Sequence, residues 1–371
     1  GITSDHAAEL AAVVQADTTG LYTIAAGLEL AHQLWQVAPQ RVQRIRLSEL
    51  DAPARLRWWQ RAWPDLPEAD LARHAWRTRL GPSGIRGARS QDTASAKLPA
   101  ILRAVPNRWA RDDLLLPVQT AKALDELTAF VSHWPQVLGR WQFAGTHPQS
   151  RRCLALFSGP PGTGKTMAAS VVARAADVPL YRVSLSSVFD KYVGETEKQI
   201  DRLFDAAADA GIAILCDEAD ALFASRSDGD DAQARFSNLT VSHLLQRIEE
   251  HEGLVILTSN LPQNMDDAFT RRIDHAIAIP LPDFAARKVL WRQSIPAAAD
   301  CCDDVDLDAL AETFTLSGGD ISNAALSAAY LAASQDSPIR MRHLLRAVER
   351  ELSNIGRTPI AADLGRLNAA R

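Results

Sequence analysis

Cysteine is scarce in this sequence of 371 residues, which contains only four, Cys153, Cys216, Cys301 and Cys302. Their spacing does not form a disulfide framework, and the adjacent pair is poorly placed to bond to itself. We therefore expect reduced thiols and a cytoplasmic location. Cys216 is interpreted as a small buried residue.

Long apolar runs are also missing, since none reaches the roughly 18 residues of a membrane span. The N-terminus shows no signal-peptide pattern, so we expect no membrane partner. The sequence begins with Gly1 rather than methionine, which we interpret as a processed, tagged or truncated start.

The sequence also has no excess of basic over acidic residues. The chain has 40 Lys and Arg against 45 Asp and Glu, a net charge of −5. Proteins that bind nucleic acid usually carry a concentrated basic face, so the charge balance argues against a nucleic-acid partner. The apolar share of 47% is large enough for a substantial core.

Three patterns follow one another along the chain. Residues 1–80 show mostly helical periodicity, and residues 81–97 are small and polar. From residue 112, short apolar strands alternate with amphipathic helices, which predicts an α/β fold with a parallel sheet covered by helices on both faces. From residue 284 the pattern is wholly helical. We predict a helical N-terminal region with linker at 1–105, an α/β nucleotide-binding core at 106–283, and a helical lid and C-terminal tail at 284–371.

The stretch GPPGTGKT at 159–166 completes the phosphate-loop pattern G-x-x-x-x-G-K-[ST], between a predicted strand and a predicted helix. Its glycines let backbone N–H groups close on phosphate oxygens, and the helix N-terminus adds positive potential. The pattern predicts ATP and Mg²⁺ as cofactors, with Lys165 on the β- and γ-phosphates and Thr166 on the metal. The predicted nucleotide-binding residues here are Pro160, Pro161, Gly162, Thr163, Gly164, Lys165 and Thr166.

Two carboxylates, Asp217 and Glu218, end the apolar strand IAILCDE. Ligands of open α/β sheets bind at the carboxyl ends of the strands, which is where this pair lies. We predict that Asp217 helps to hold Mg²⁺ and that Glu218 is the general base that activates water.

With these motifs in place, residues 112–356 resemble an AAA+ ATPase. The resemblance implies a five-stranded parallel sheet, a helical C-terminal lid and a homo-oligomeric ring, usually a hexamer. Further motifs that carry it are DDLLLP (112–117), KYVGETEK (191–198), LTSN (257–260), DDAFTRRID (266–274) and LSGGDISN (316–323).

The resemblance also implies roles for single residues. Asp113 and Leu115 would lie beside the adenine, and Asn260 would bridge the γ-phosphate and the attacking water. Gly318 and Gly319 of the lid motif would approach the adenine or ribose closely. The lid motif lacks the arginine that other AAA+ branches keep at the position of Asn323.

The adjacent arginines Arg271 and Arg272 resemble the arginine fingers that reach a neighbouring subunit's nucleotide. Their adjacency is similar to the severing clade that includes katanin and spastin, whereas the commoner pattern separates two arginines. The sequence leaves open which one dominates and whether one of them serves a structural salt bridge.

The segment Lys191, Tyr192, Val193 and Gly194 resembles the first pore loop of protein-remodelling members, which would grip an extended polypeptide by aromatic and apolar contacts. A second pore loop is a candidate at 225–236, with Arg226 and Arg235, although a solvated loop explains that segment equally well.

Together these motifs resemble the AAA+ ATPases associated with extracellular contractile injection systems. The expected function is an ATP-hydrolysing ring that remodels or threads a protein or peptide substrate, for assembly or cargo handling of an injection particle whose components would be partners. Two alternatives stay open: a nucleic-acid-linked AAA+ switch of the helicase or clamp-loader type, and a nucleotide-gated assembly scaffold.

Overall fold

The computed structural model describes residues 50–80, 85, 98–143, 146–147, 151–184, 196–220, 232–260 and 267–356. The chain divides into two units, Gly1–Leu50 and Asp51–Arg371, and every element below belongs to the second.

A small helical layer comes first, formed by α1 (Ala52–Ala62) and α2 (Glu68–Arg77). The Asp51 carboxylate caps α1 by accepting a hydrogen bond from the Ala54 N–H at 2.7 Å, and a proline occupies the first turn, as helix starts favour. Trp59, Leu71 and Ala75 pack the two helices together. The helical pattern expected before the α/β region is present in this layer.

The sheet has six strands among the described residues: β1 (Arg103–Ala104), β2 (Arg152–Ser158), β3 (Leu180–Ser184), β4 (Ala213–Asp217), β5 (Gly253–Ser259) and β6 (His275–Ala278). Their order is β1-β3-β4-β5-β2-β6. Strands β2 to β6 are parallel, which confirms the predicted five-stranded parallel sheet. Strand β1 was not predicted; it pairs antiparallel with β3, and its two residues are too few to show a period.

Helices cover both faces of this sheet: α3 (Val118–Ser132), α4 (Lys165–Ala175), α5 (Thr196–Ala210), α6 (Ala232–Glu250) and the short α7 (Asp267–Thr270). Side chains alternate across β4, so that Ile214 and Cys216 pack under α5 and α6. Ala213 and Leu215 pack on the opposite face under α3 and α4. This alternation is the period of two expected of a strand buried on both faces.

The last described segment is helical throughout: α8 (Phe284–Ser294), α9 (Leu307–Thr313), α10 (Gly318–Ala333) and α11 (Met341–Asn354). These helices share their own core around the fully buried Trp291. Ser317 caps α10, and this start of the helix lies next to the phosphate loop. The helical lid expected from the sequence is therefore present.

Within the ranges given above, no helix combines the length and the apolar character that crossing a bilayer requires.

Candidate functional site

The candidate site lies where β2, β4 and β5 end. The phosphate loop follows β2, the acidic pair closes β4, and Asn260 follows β5 directly. Because the three strands are parallel and adjacent, their carboxyl ends meet at one edge of the sheet. Residues separated by about a hundred positions in sequence are thus brought into one cluster.

The phosphate loop has a backbone that only glycine adopts easily at three positions, the first of which is Gly159 with φ of +149°. Gly164 is left-handed, with φ of +95°, immediately before α4. Gly162 has φ of +74°, and a Cβ there would lie 2.2 Å from the Ser317 hydroxyl oxygen. The glycines therefore serve two purposes, turning the loop and admitting the lid.

Lys165 points its ammonium group into the concave side of the loop. The Nζ atom donates to the carbonyl oxygens of Gly159 at 2.7 Å and Pro160 at 2.9 Å, and to Asn260 Oδ1 at 2.8 Å. Burial lowers the pKa of Lys165, while the charges of Asp217 and Asp220 act to raise it. This ammonium group lies between two strand ends, and phosphate oxygens can replace its present acceptors.

The acidic pair is held by a residue on the neighbouring strand. The Thr258 hydroxyl donates to Asp217 Oδ1 at 2.5 Å and accepts from the Glu218 N–H at 3.3 Å. Glu218 itself is exposed and has φ of +59°. A non-glycine residue in this region is strained, and such strain concentrates at functional sites.

Asn260 is positioned by a residue that the sequence analysis missed. Asp220 accepts a hydrogen bond from the Ser259 hydroxyl at 2.6 Å and from the Asn260 N–H at 2.9 Å. The sequence feature that could have predicted this role is the position of Asp220, two residues after Glu218 on the same loop. Thr258 was missed as well, although it stands two residues before the predicted Asn260.

Mg²⁺ fits the oxygen donors at this edge. Asp217 supplies a carboxylate and Thr166 a hydroxyl, and Mg²⁺ commonly takes one or two such protein ligands together with substrate phosphates and water. Among the described residues, at this edge or elsewhere, no group of three or more His, Cys, Asp or Glu side chains could by itself hold a metal ion. Asp217 Oδ2 also lies 3.5 Å from Arg182 Nη1 on β3.

The lid touches the phosphate loop directly. The Gly319 N–H donates to the Gly162 carbonyl oxygen at 2.9 Å, and a Cβ on Gly319 would lie 3.1 Å from Gly162 Cα. The side chains of Ser317 and Asp320 form a capping box that fixes this end of α10. The structure therefore brings Gly318 and Gly319 to the predicted nucleotide site.

The two nucleotide-binding residues predicted in the segment before α3, Asp113 and Leu115, lie in different environments. The Asp113 carboxylate is exposed and accepts a hydrogen bond from the Ala110 N–H at 2.7 Å, so in this structure it stabilises its own turn. Leu115 is half-buried. The intervening Leu114 is buried, and a Cβ on Gly164 would lie 3.5 Å from its Cδ1, which places it against the loop.

The two predicted arginine fingers have different surroundings. Arg272 forms a salt bridge with Glu249 of α6, and its carbonyl oxygen accepts from Arg152 at 3.0 Å. The Arg271 side chain is exposed, and no hydrogen bond or ion pair joins its guanidinium to another described residue. Of the two arginines, only Arg272 therefore has a salt-bridge partner among the described residues.

The predicted pore loop, Lys191 to Gly194, lies outside the described residues, as do Arg226 and Arg235 of the second candidate loop.

Comparison with known proteins agrees with this geometry. The profile of the AAA family, ATPases associated with various cellular activities, matches residues 155–281, which run from within β2 to the start of the lid. The chain contains an AAA ATPase domain. The matched range includes the phosphate loop, the acidic pair, Asn260 and both arginines.

Curated relatives of the AAA domain include a katanin ATPase-containing subunit and an ATP-dependent metalloprotease. The katanin p60 ATPase-containing subunit A1 of Strongylocentrotus purpuratus is 33% identical over 220 residues, 55% of this chain and 42% of the relative. The ATP-dependent zinc metalloprotease FtsH 3 of Sphaerobacter thermophilus is 36% identical over 214 residues, 54% of this chain and 42% of the relative. The chain thus spans less than half the length of these relatives.

A solved structure from work on the structural basis of katanin self-assembly has the same fold. It superimposes with a TM-score of 0.52 at 23% identity, covering 71% of this chain and 90% of the solved one. At this identity the similarity establishes the fold of the AAA domain.

Proposed function

We propose that this chain works as a ring of identical subunits that hydrolyses ATP between neighbours and uses the energy to remodel or thread a protein substrate. The observation that carries the proposal is the unequal environment of the two arginines. One subunit supplies Lys165, Asp217, Glu218 and Asn260 at a single sheet edge, while Arg271 is exposed and unpaired within the described residues.

The chemistry proposed for the site follows from these positions. Lys165 and Thr166 would hold the phosphates and Mg²⁺, and the metal would supply positive charge against the negative charge that develops on the phosphates. Glu218 accepts a proton from the attacking water. Asn260, held by Asp220 and in contact with Lys165, orients that water. Arg271 of a neighbouring subunit stabilises the charge on the transferred group.

Replacing Arg271 with alanine is expected to lower the ATP hydrolysis rate about 10³-fold or more, because arginine fingers contribute about 10³–10⁵ in rate. ATP affinity should change little, since most binding contacts come from the subunit that holds the phosphate loop. Steady-state turnover and nucleotide titration measure the two effects separately.

Arg272→Ala is the matched comparison for that substitution. It removes the salt bridge to Glu249, so it should lower the melting temperature more than Arg271→Ala does. If Arg272→Ala abolishes turnover while Arg271→Ala keeps it, the assignment of Arg271 as the dominant finger is wrong.

The proposed protein substrate rests on the sequence of the pore loop and on the relatives, which are named as a katanin subunit and a protease. Tyr192→Ala should keep most of the basal ATPase rate but lose substrate processing, because the proposed pore loop holds the polypeptide whereas the phosphate loop binds the nucleotide. Unfolding of a tagged model substrate, followed by fluorescence, measures processing. Processing at the parent rate would contradict threading, and turnover stimulated by nucleic acid instead would favour the switch alternative.

We also propose that the substrates include components of a contractile injection particle. The support for this narrower proposal is the motif resemblance alone. Reconstitution with purified sheath, tube and baseplate proteins tests it: ATP-dependent binding to one of them supports the proposal, and no binding to any of them contradicts it.

A further inference from the structure

A second cleft lies at the opposite edge of the sheet, where β4 and β5 begin. The layer formed by α1 and α2 provides one wall, and the turns before the strands provide the other. Among the described residues, its lining contains five arginines and one acidic residue, Glu252; the arginines are Arg55, Arg73, Arg77, Arg79 and Arg151. Since the nucleotide residues lie at the carboxyl ends of the strands, this cleft is separate from the ATP site.

Among the described residues, the salt bridges of these five arginines involve three carboxylates. Arg79 and Arg151 share one oxygen of Glu252, at 3.4 Å and 3.5 Å. Arg73 forms salt bridges with the two other carboxylates, Asp177 at 2.6 Å and Asp70 at 3.4 Å.

The other two arginines also donate hydrogen bonds to backbone carbonyl oxygens. Arg77 Nη1 donates to the Asp177 carbonyl oxygen at 2.7 Å, and Arg55 Nε donates to the Ala75 carbonyl oxygen at 2.9 Å. Burial lowers the pKa of His74 beside Arg77, so this histidine adds no charge near neutral pH. The remaining nearby carboxylate, Asp51, is exposed and caps α1.

Two donors in the wall have no partner among the described residues: the Nε of Arg77 and the indole Nε1 of Trp134 are both buried without a hydrogen bond. Burial lowers the pKa of Arg55 and of Arg77, and the charge of Arg151 adds to the effect on Arg55. Buried donors without acceptors are costly, and an anion in the cleft would relieve both the missing acceptors and the mutual repulsion.

The cleft has room for a small anion. Its cavity is about 50 Å³, well above the roughly 10–15 Å³ that holding a single water molecule requires. A tetrahedral oxyanion can therefore enter it. Arginine forks match the oxygens of phosphate in pairs, and Arg151 is held in place over the Trp76 ring at 5.0 Å.

We propose that this cleft binds a phosphoryl group, as free phosphate or as the terminal phosphate of a small ligand, through Arg77, Arg79 and Arg151. The bound group bridges α2 and the starts of the sheet strands, and so fastens the layer of α1 and α2 to the AAA domain.

Calorimetric titration with inorganic phosphate tests the proposal in the Lys165→Ala chain, whose nucleotide site is disabled. Phosphate should still bind, and adding Arg151→Gln should weaken it at least about tenfold, the loss expected for a charge-assisted hydrogen bond. Arg57→Gln removes an exposed arginine of α1 outside the cleft and should leave the affinity unchanged. Loss of all phosphate binding with Lys165→Ala alone would overturn the proposal, as would unchanged affinity in Arg151→Gln.

A second variant keeps the test valid if Arg151→Gln does not fold. Arg77→Lys preserves the charge but removes the planar fork, so the fold should be retained and phosphate affinity should still fall; equal affinity would contradict the proposal. Phosphoserine distinguishes the two sources of the group. Binding equal to phosphate assigns the cleft to a phosphorylated ligand, whereas weaker binding assigns it to the free ion.

Discussion

Replacing Lys165 with alanine should lower ATP affinity about a hundredfold or more and abolish hydrolysis with it. The Nζ atom is surrounded by three acceptors at 2.7–2.9 Å, whose positions phosphate oxygens would take over. Two charge-assisted contacts to phosphate, at about 1.5–3 kcal/mol each, give a loss of this size. Titration with a fluorescent ATP analogue measures it.

Lys122→Ala is the matched control, because Lys122 is an exposed lysine on α3 outside the site. It should leave nucleotide affinity unchanged. An unaltered affinity in Lys165→Ala would show that the phosphate loop does not bind the nucleotide, and the proposed function would then fail together with it.

Glu218→Gln should bind ATP with nearly the parent affinity but hydrolyse it about 10²–10⁴ times more slowly, the usual contribution of a general base. Glutamine keeps the shape of the side chain and the backbone bond to Thr258, but its amide cannot accept the proton of the attacking water. Single-turnover measurement at saturating ATP isolates this step. Because ATP then persists in the site, assemblies that depend on it should also become more stable.

Glu312→Gln is the matched control for Glu218→Gln, because it removes an exposed carboxylate on α9 of the lid. Its turnover should equal that of the parent. Hydrolysis at the parent rate in Glu218→Gln would remove Glu218 from the chemistry and leave its left-handed backbone without a functional reason.

The sequence predicted the sheet and the identity of its edge because the signals are local. Each parallel strand is a short apolar run, and the phosphate loop and the pair Asp217–Glu218 directly follow such runs. Parallel pairing then determines that these residues meet, as the register from Ser158 to Ser259 shows. A motif that directly follows a buried parallel strand is therefore predicted to lie at the carboxyl edge of the sheet.

Other parts of the site depend on contacts that no local pattern encodes. Thr258 and Asp220 hold the acidic pair and Asn260 through hydrogen bonds across neighbouring strands. The difference between Arg271 and Arg272 likewise depends on Glu249, more than twenty residues away. The arginine cleft draws its lining from α1–α2 and from the starts of several strands, so its residues are scattered through the sequence.

The central claim, that one subunit completes the site of the next, is tested most directly by mixing two inactive variants. Lys165→Ala keeps Arg271 but binds ATP too weakly to hydrolyse it, and Arg271→Ala keeps the phosphate loop but supplies no arginine to its neighbour. In a mixed ring, roughly a quarter of the interfaces join an intact loop to an intact finger, so mixing is expected to restore about that share of parent turnover. If the two variants assemble together and turnover stays at the level of either alone, hydrolysis does not occur between subunits and the account is wrong.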